Sequence, residues 1–318
     1  MRVATDPEIF SDDDLFEVLV RFIALIIEAR HHWDVDPVSE KRASDYFERN
    51  APARAAVYRQ LMQKSVTDAA YRPPPAAGRP RITLSTARAS IRDLERPALV
   101  VLENQESDGT FLNAVFRAFG RDDLLAALDA GRLSFRHAGG GKVIFRKIAI
   151  EAAREYGVHV RVCGVMDSDR LVPHARTDAH SHAAQLADHG VAVLVLALRE
   201  VENYIPPAAL APLVEKSGVG GAVTALARLS PEQRGYYDMK NGFGATGSKP
   251  AAVRPEQRDL FADLDPRLVQ ELGHGFDGKI IKCLMRRDLD LTAADFGAVG
   301  PGVRAELDEL IAMIDEVL

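Results

Sequence analysis

Between residues 97 and 206, short apolar runs alternate with amphipathic stretches, and few folds accommodate that alternation. Ala98–Leu102 (ALVVL) is apolar at every position, which predicts a strand buried on both faces. Segments 133–137, 159–166 and 191–198 predict three further strands, while 111–130, 142–156 and 177–188 predict one or two helices, then one helix each. Strands alternating with helices imply an α/β fold with a mainly parallel four-stranded sheet flanked by helices.

The flanks carry a different period. In 1–96, Ser11 and Asp14 form a cap-like start, and Phe16, Leu19, Val20, Ile23 and Ile27 recur at helical spacing. A second helical stretch over 39–70 runs into Arg72-Pro73-Pro74-Pro75, a linker that cannot continue a helix. A short helix follows at 86–94. The region 207–318 is again helical: Ser230-Pro231 pairs a cap with proline at the first helical position, and 303–318 closes the chain. Segment 241–250 (NGFGATGSKP) predicts a mobile loop. The expected organisation is therefore a helical region 1–96, an α/β domain 97–206 and a helical region 207–318. A chain of 318 residues has the length for two or three such units.

Several classes are disfavoured early. The apolar run at 15–27 is interrupted by Glu17 and Arg21, and it falls short of the ~20 apolar residues that span a bilayer. It reads as a buried or oligomer-forming helix. No signal peptide is recognisable in MRVATDPEIF. The two cysteines, Cys163 and Cys283, support no disulfide framework, so a cytoplasmic location is expected. The net charge of −6 counts against a nonspecific DNA-coating protein but not against a metal-dependent enzyme, whose clustered carboxylates contribute to that total.

Three of the four strand ends carry acids. Glu103 follows the first strand, with Glu106 and Asp108 behind it; Asp167-Ser168-Asp169 follows the third; Glu200 and Glu202 follow the fourth. In a parallel sheet these ends converge on one crevice, where ligands bind. Mg²⁺ (or Mn²⁺) takes hard oxygen ligands from one or two carboxylates, water and substrate phosphate. Glu103, Asp167 and Asp169 are the expected ligands and catalytic acids. Asp108 and Glu200 are further candidate ligands, and Glu106 and Glu202 further candidate catalytic acids.

The segments LVVLENQESDGTFL (99–112), VRVCGVMDSDR (160–170) and LREVENYI (198–205) resemble the TOPRIM domain of topoisomerases, primases and OLD-type nucleases. The resemblance covers about 110 residues, pairing an acid after the first strand with a D-x-D after the third. It implies a Mg²⁺-dependent nuclease acting on DNA or RNA, tRNA included. REVENYI is similar to stand-alone TOPRIM proteins of anti-phage defence systems, several of which work beside a separate ATPase; the resemblance thus implies such a partner, and the long helical flanks suit homo-oligomer contacts. The chain departs from the family pattern in having Asn104 where glycine follows the glutamate, and Asp108 five residues on rather than four. Glu103, closest to the strand end, is favoured over Glu106 as the working acid.

Bland readings stand beside these. Glu106 and Asp108 suit a helix N-terminus in any case, and Asn203 and Tyr204 read as structural. Gly139-Gly140-Gly141-Lys142 is not a P-loop, because Val143 stands where Ser or Thr is required. Gly140, Gly141 and Lys142 nevertheless make a turn that could approach a phosphate. Lys279, in a basic helix over 276–287, is a further candidate phosphate contact. His174, His180, His182 and His189 lack the closed ligand set of a zinc site. His31-His32, beside Trp33, suits a helix end, where a partly charged imidazole is favourable. Two other functions remain open: a regulatory or binding subunit activated by a partner, and a phosphatase of the haloacid dehalogenase type with Asp167 as nucleophile.

Overall fold

The computed structural model describes residues 1–70, 80–216, 218–246, 250–276 and 278–318, with 69, 70, 278 and 279 described by backbone alone. The Pro-rich linker at 72–75 and the side chain of Lys279 lie outside the described residues.

The first region has a core of its own, and it is not purely helical as the sequence suggested. Strands β1 (Arg2–Thr5), β2 (His32–Asp34) and β3 (Arg81–Ile82) form a parallel sheet in the order β2-β1-β3. With two to four residues each, these strands are too short to show a period of two against the helices around them. Helices α1 (Phe16–Ile27), α2 (Pro37–Asn50), α3 (Ala55–Ala70) and α4 (Ala87–Glu95) complete the region. Trp33 on β2 is its centre: the ring packs edge-on against Phe22 of α1 at 5.3 Å, and its indole N–H donates to Thr5 Oγ1 at 3.0 Å. Of the two readings of α1, the structure realises the buried helix, with Leu19, Phe22 and Ile23 inside. The helix-end reading of His31 is overturned. His31 is buried, its Nε2 lies 2.9 Å from the carbonyl of Leu94, and burial pushes the imidazole down to about 2, so it is neutral.

Four parallel strands follow as expected: β4 (Ala98–Leu102), β5 (Leu133–His137), β6 (Val162–Met166) and β7 (Ala192–Val195), in the order β5-β4-β6-β7. Helices α5 (Gln105–Ala118), α6 (Asp122–Asp129), α7 (Gly141–Ala153) and α8 (Asp178–Ala187) alternate with them. The all-apolar run of β4 serves two cores at once. Ala98, Val100 and Leu102 join Phe111, Val115 and the C-terminal region on one face; Leu99 and Val101 join Phe145 and Ala149 of α7 on the other. Gly164 on β6 is needed for the second face, since a Cβ there would meet Phe145 Cζ at 2.7 Å.

The region after β7 consists of short helices, α9 (Pro207–Leu210), α10 (Gly220–Leu226), α11 (Pro231–Tyr236), α12 (Pro266–Glu271) and α13 (Ala293–Gly297), and the longer α14 (Val303–Val317), with 3₁₀ turns between them. Its apolar residues belong to the same core as one face of the sheet. The described part of 241–250 is packed rather than free. Phe243 is buried, 5.2 Å from the ring of Tyr237 and 5.1 Å from that of Phe261.

Arg161, just ahead of β6, ties the regions together. Its buried guanidinium donates to the carbonyls of Leu94 (3.0 Å), Arg96 and Val317 (2.9 Å), which end α4 and α14. Burial lowers its pKa to about 10, so it stays charged at neutral pH and can satisfy these carbonyls. Replacing it by methionine leaves several buried acceptors without a donor. Arg161→Met is therefore expected to lower stability by about 3 kcal/mol in urea unfolding and to speed amide exchange in both α4 and α14. Unchanged exchange in α14 would show that the guanidinium is not the tie.

Candidate active site

The strand order reverses direction between β4 and β6, and at such a switch point the connections leave on opposite faces and open a crevice at the carboxyl ends. Glu103 leaves β4 and Asp167 leaves β6, one on each side of this opening. They are linked directly: the Asp167 N–H donates to Glu103 Oε1 at 3.0 Å. The Val201 N–H, from the 3₁₀ turn Val201–Tyr204 beyond β7, donates to Asp167 Oδ1 at 3.0 Å. One oxygen of each carboxylate is thereby fixed, and the other accepts no hydrogen bond among the described residues.

Asp108 lies in the first turn of α5 and accepts from the Asn104 N–H (2.9 Å) and Ser107 Oγ (2.8 Å). It thus performs the helix-start role, yet it is buried and its charge bears on Asp167. Glu200 and Glu202, on the turn after β7, are buried as well. Five expected acids therefore line one crevice: Glu103, Asp108, Asp167, Glu200 and Glu202. Two others stand outside it. Asp169, at a left-handed φ of 53°, is turned to the exposed rim and paired with Lys142. Glu106 points outward to Lys282 at 2.9 Å, which leaves Glu103 as the acid in the crevice, as its position beside the strand suggested.

One central residue was not anticipated. Lys240 reaches in from the loop after α11, its Nζ 3.0 Å from Glu200 Oε2 and 3.1 Å from Glu202 Oε2. Glu202 is 0% exposed and neither of its oxygens accepts a well-formed hydrogen bond, so the ammonium charge is its main compensation. The loop is held firmly. Asn203 donates to the carbonyls of Arg234 (2.7 Å) and Tyr237 (2.9 Å), and the Met239 N–H donates to Glu200 Oε1 at 3.1 Å. Asn203 and Tyr204 are structural, as expected; Tyr204 Oη accepts from the Leu198 N–H at 3.0 Å and donates to Glu306 at 2.7 Å. Gly242 is obligatory: φ is +63° and a Cβ would lie 2.3 Å from the Leu272 carbonyl. In sequence Lys240 is one lysine in an irregular glycine-containing stretch, and no spacing links it to acids forty residues away.

Burial raises the pKa values of Glu103, Asp108 and Asp167, and for Asp167 the charge of Asp108 adds to the effect. Burial and then Glu200 push Glu202 up to about 7. Lys240 shifts the other way: burial opposes its charge, but Glu202, Glu200 and Asp167 outweigh that and hold its ammonium above the ordinary value. Among the described residues no three Asp, Glu, His or Cys side chains form a ready-made metal cage. The donor set still suits a hard divalent cation, because it is all oxygen, desolvated, and has a free oxygen on both Glu103 and Asp167.

The remaining candidates divide. Gly139 and Gly141 both adopt positive φ (68° and 72°), and with Gly140 they form the turn into α7, which has no side-chain cap at its start. Lys142 faces the crevice but is engaged by Asp169. The basic stretch containing Lys279 is a 3₁₀ helix, Gly278–Met285. His180 caps α8, its ring accepting from the Thr177 N–H at 3.1 Å.

Glu202 yields a pH test. Its folded pKa of about 7 exceeds the ordinary 4.5, so the folded protein binds an extra proton across that interval and loses stability as pH rises through it. Glu202→Gln is expected to match the wild type near pH 4.5 and to exceed its stability at pH 8, by on the order of 3 kcal/mol at most. Denaturant unfolding at the two pH values measures the difference; parallel profiles for both proteins would contradict it. Comparisons with protein-family models, curated proteins and solved structures find no match to this chain, so the geometry carries the functional reading.

Proposed function

We propose that the chain is a Mg²⁺-dependent nuclease of the TOPRIM type, hydrolysing phosphodiester bonds of nucleic acid at the crevice between β4 and β6. The observation that carries this reading is the meeting of Glu103 and Asp167 at the switch point, joined by a 3.0 Å hydrogen bond although 64 residues separate them in sequence. The motif resemblance in 99–112, 160–170 and 198–205 supports it.

Glu103, Asp108 and Asp167 would hold the ion, which when bound supplies Lewis-acid stabilisation of a phosphoryl oxygen and a more acidic water. The protein's own groups do the rest. Val201 N–H and Asp167 N–H fix the carboxylates so that little reorganisation is needed. The Lys240 ammonium offers a donor to an anionic oxygen in a site of low polarity. Lys142 and Lys282 stand at the rim, each paired with an acid that a phosphate could replace. DNA, RNA and tRNA share the phosphodiester that this arrangement addresses.

A second reading is favoured by one observation: Asp169 is tied to Lys142 at the rim rather than sharing the cluster. A subunit completed by a partner, such as a separate ATPase, would begin in that state.

Purified protein incubated with plasmid, RNA or tRNA and Mg²⁺ or Mn²⁺ is expected to cut at least one of them, with EDTA abolishing the activity. Asp167→Asn is expected to reduce cutting by about 100-fold or more. Undiminished cleavage by that variant would move the chemistry elsewhere. Cleavage appearing only after addition of a co-purifying partner would favour the second reading.

A further inference from the structure

We propose that Lys240 is a built-in cation occupying the Glu200–Glu202 half of the crevice, so that each chain binds one divalent ion, at Glu103, Asp108 and Asp167, rather than two. The inference rests on the metal-dependent reading above and adds a stoichiometry and a role for one lysine.

The crevice has two halves with different charge balance. On the Glu103 side, three carboxylates face one another with peptide N–H groups and a hydroxyl as their close partners. On the other side, Glu200 and Glu202 share the Lys240 ammonium at 3.0 and 3.1 Å. Glu202 is completely buried with no well-formed hydrogen bond to either oxygen, so its ionised form requires a cation, and the cation present is Lys240.

A lysine on a loose loop would yield to a divalent ion, but the backbone that carries this one is anchored from both sides. Asp238, two residues earlier, is gripped by Arg199 (2.9 Å) and Arg254 (3.3 Å) and accepts from the Asn241 N–H at 2.8 Å. Beyond it, the Gly242 backbone packs so closely on residues 272–275 that no side chain fits at that position. The Lys240 backbone is therefore fixed within a braced turn, from which the half-buried side chain reaches the buried carboxylates of Glu200 and Glu202. A second divalent ion would have to sit beside this ammonium or displace it from two carboxylates at once, and like charges held by the same pair of acids repel.

The test counts ions. Full-length protein is titrated with Mn²⁺ alone, and bound ions are measured by calorimetry and by electron paramagnetic resonance, which reports coupling between neighbouring Mn²⁺ ions. Wild type is expected to bind one uncoupled Mn²⁺, Lys240→Ala and Lys240→Met to bind two, and Lys240→Arg, which keeps the charge, to bind one. Circular dichroism identifies any variant that fails to fold, and the wild-type count then stands alone as the test. Two ions in wild type, or one ion in folded Lys240→Ala and Lys240→Met, would overturn the inference while leaving a metal-dependent site intact. No Mn²⁺ in wild type, or undiminished binding by Asp167→Asn, would overturn the metal reading and this inference with it.

Discussion

Parallel pairing of β4 with β6, in the register Leu99↔Val162, Val100↔Cys163 and Val101↔Gly164, fixes where everything else can go. A parallel pair cannot be closed by a hairpin, so the chain must cross over, and each crossover covers a face of the sheet. With both faces covered, polar side chains leaving these strands have one exit, at the carboxyl ends. Glu103 and Asp167 are therefore driven into the same crevice by the connectivity of an apolar sheet. The core supplies the energy, and the acids occupy the opening that the core leaves.

That placement has an electrostatic cost, seen in the raised pKa values of Glu103, Asp108, Asp167 and Glu202. A cluster of this kind persists where cations compensate it. Here the protein provides part of the compensation from a remote segment, and the loop that brings Lys240 is braced by hydrogen bonds and a glycine-only close approach. The buried ion pairs are better understood as conditions for assembling the crevice than as sources of stability.

The sheet was legible because its signal is local. β4 coincides with its apolar run and β5 with the expected segment 133–137, and α7 and α8 are amphipathic stretches between turns. β6 and β7 come out shorter than the runs that announced them, since the ends of those runs leave the ladder. The strand-end acids could be read for the same reason, since a residue following a buried strand in a parallel sheet has a known destination. Three things were hidden. The N-terminal sheet consists of strands too short to carry a pattern, so α1 and its neighbours dominate that region. The rotation of Asp169 to the rim depends on a left-handed backbone at that residue, which D-x-D does not encode. Lys240 depends on packing between segments 239–242 and 272–275, and no periodicity within either announces it.

The split origin of the crevice also bears on how such a protein can change over time. Its carboxylates come from residues 103–202, while the ammonium that neutralises two of them comes from a separate stretch, braced by glycines of a third. Transplanting the sheet alone would carry over a knot of mutually repelling acids, and transplanting the loop alone would leave a stranded lysine. The two can be inherited, duplicated or recombined usefully only as one piece, which makes the boundary near residue 206 a division of the chain's pattern and not of its chemistry.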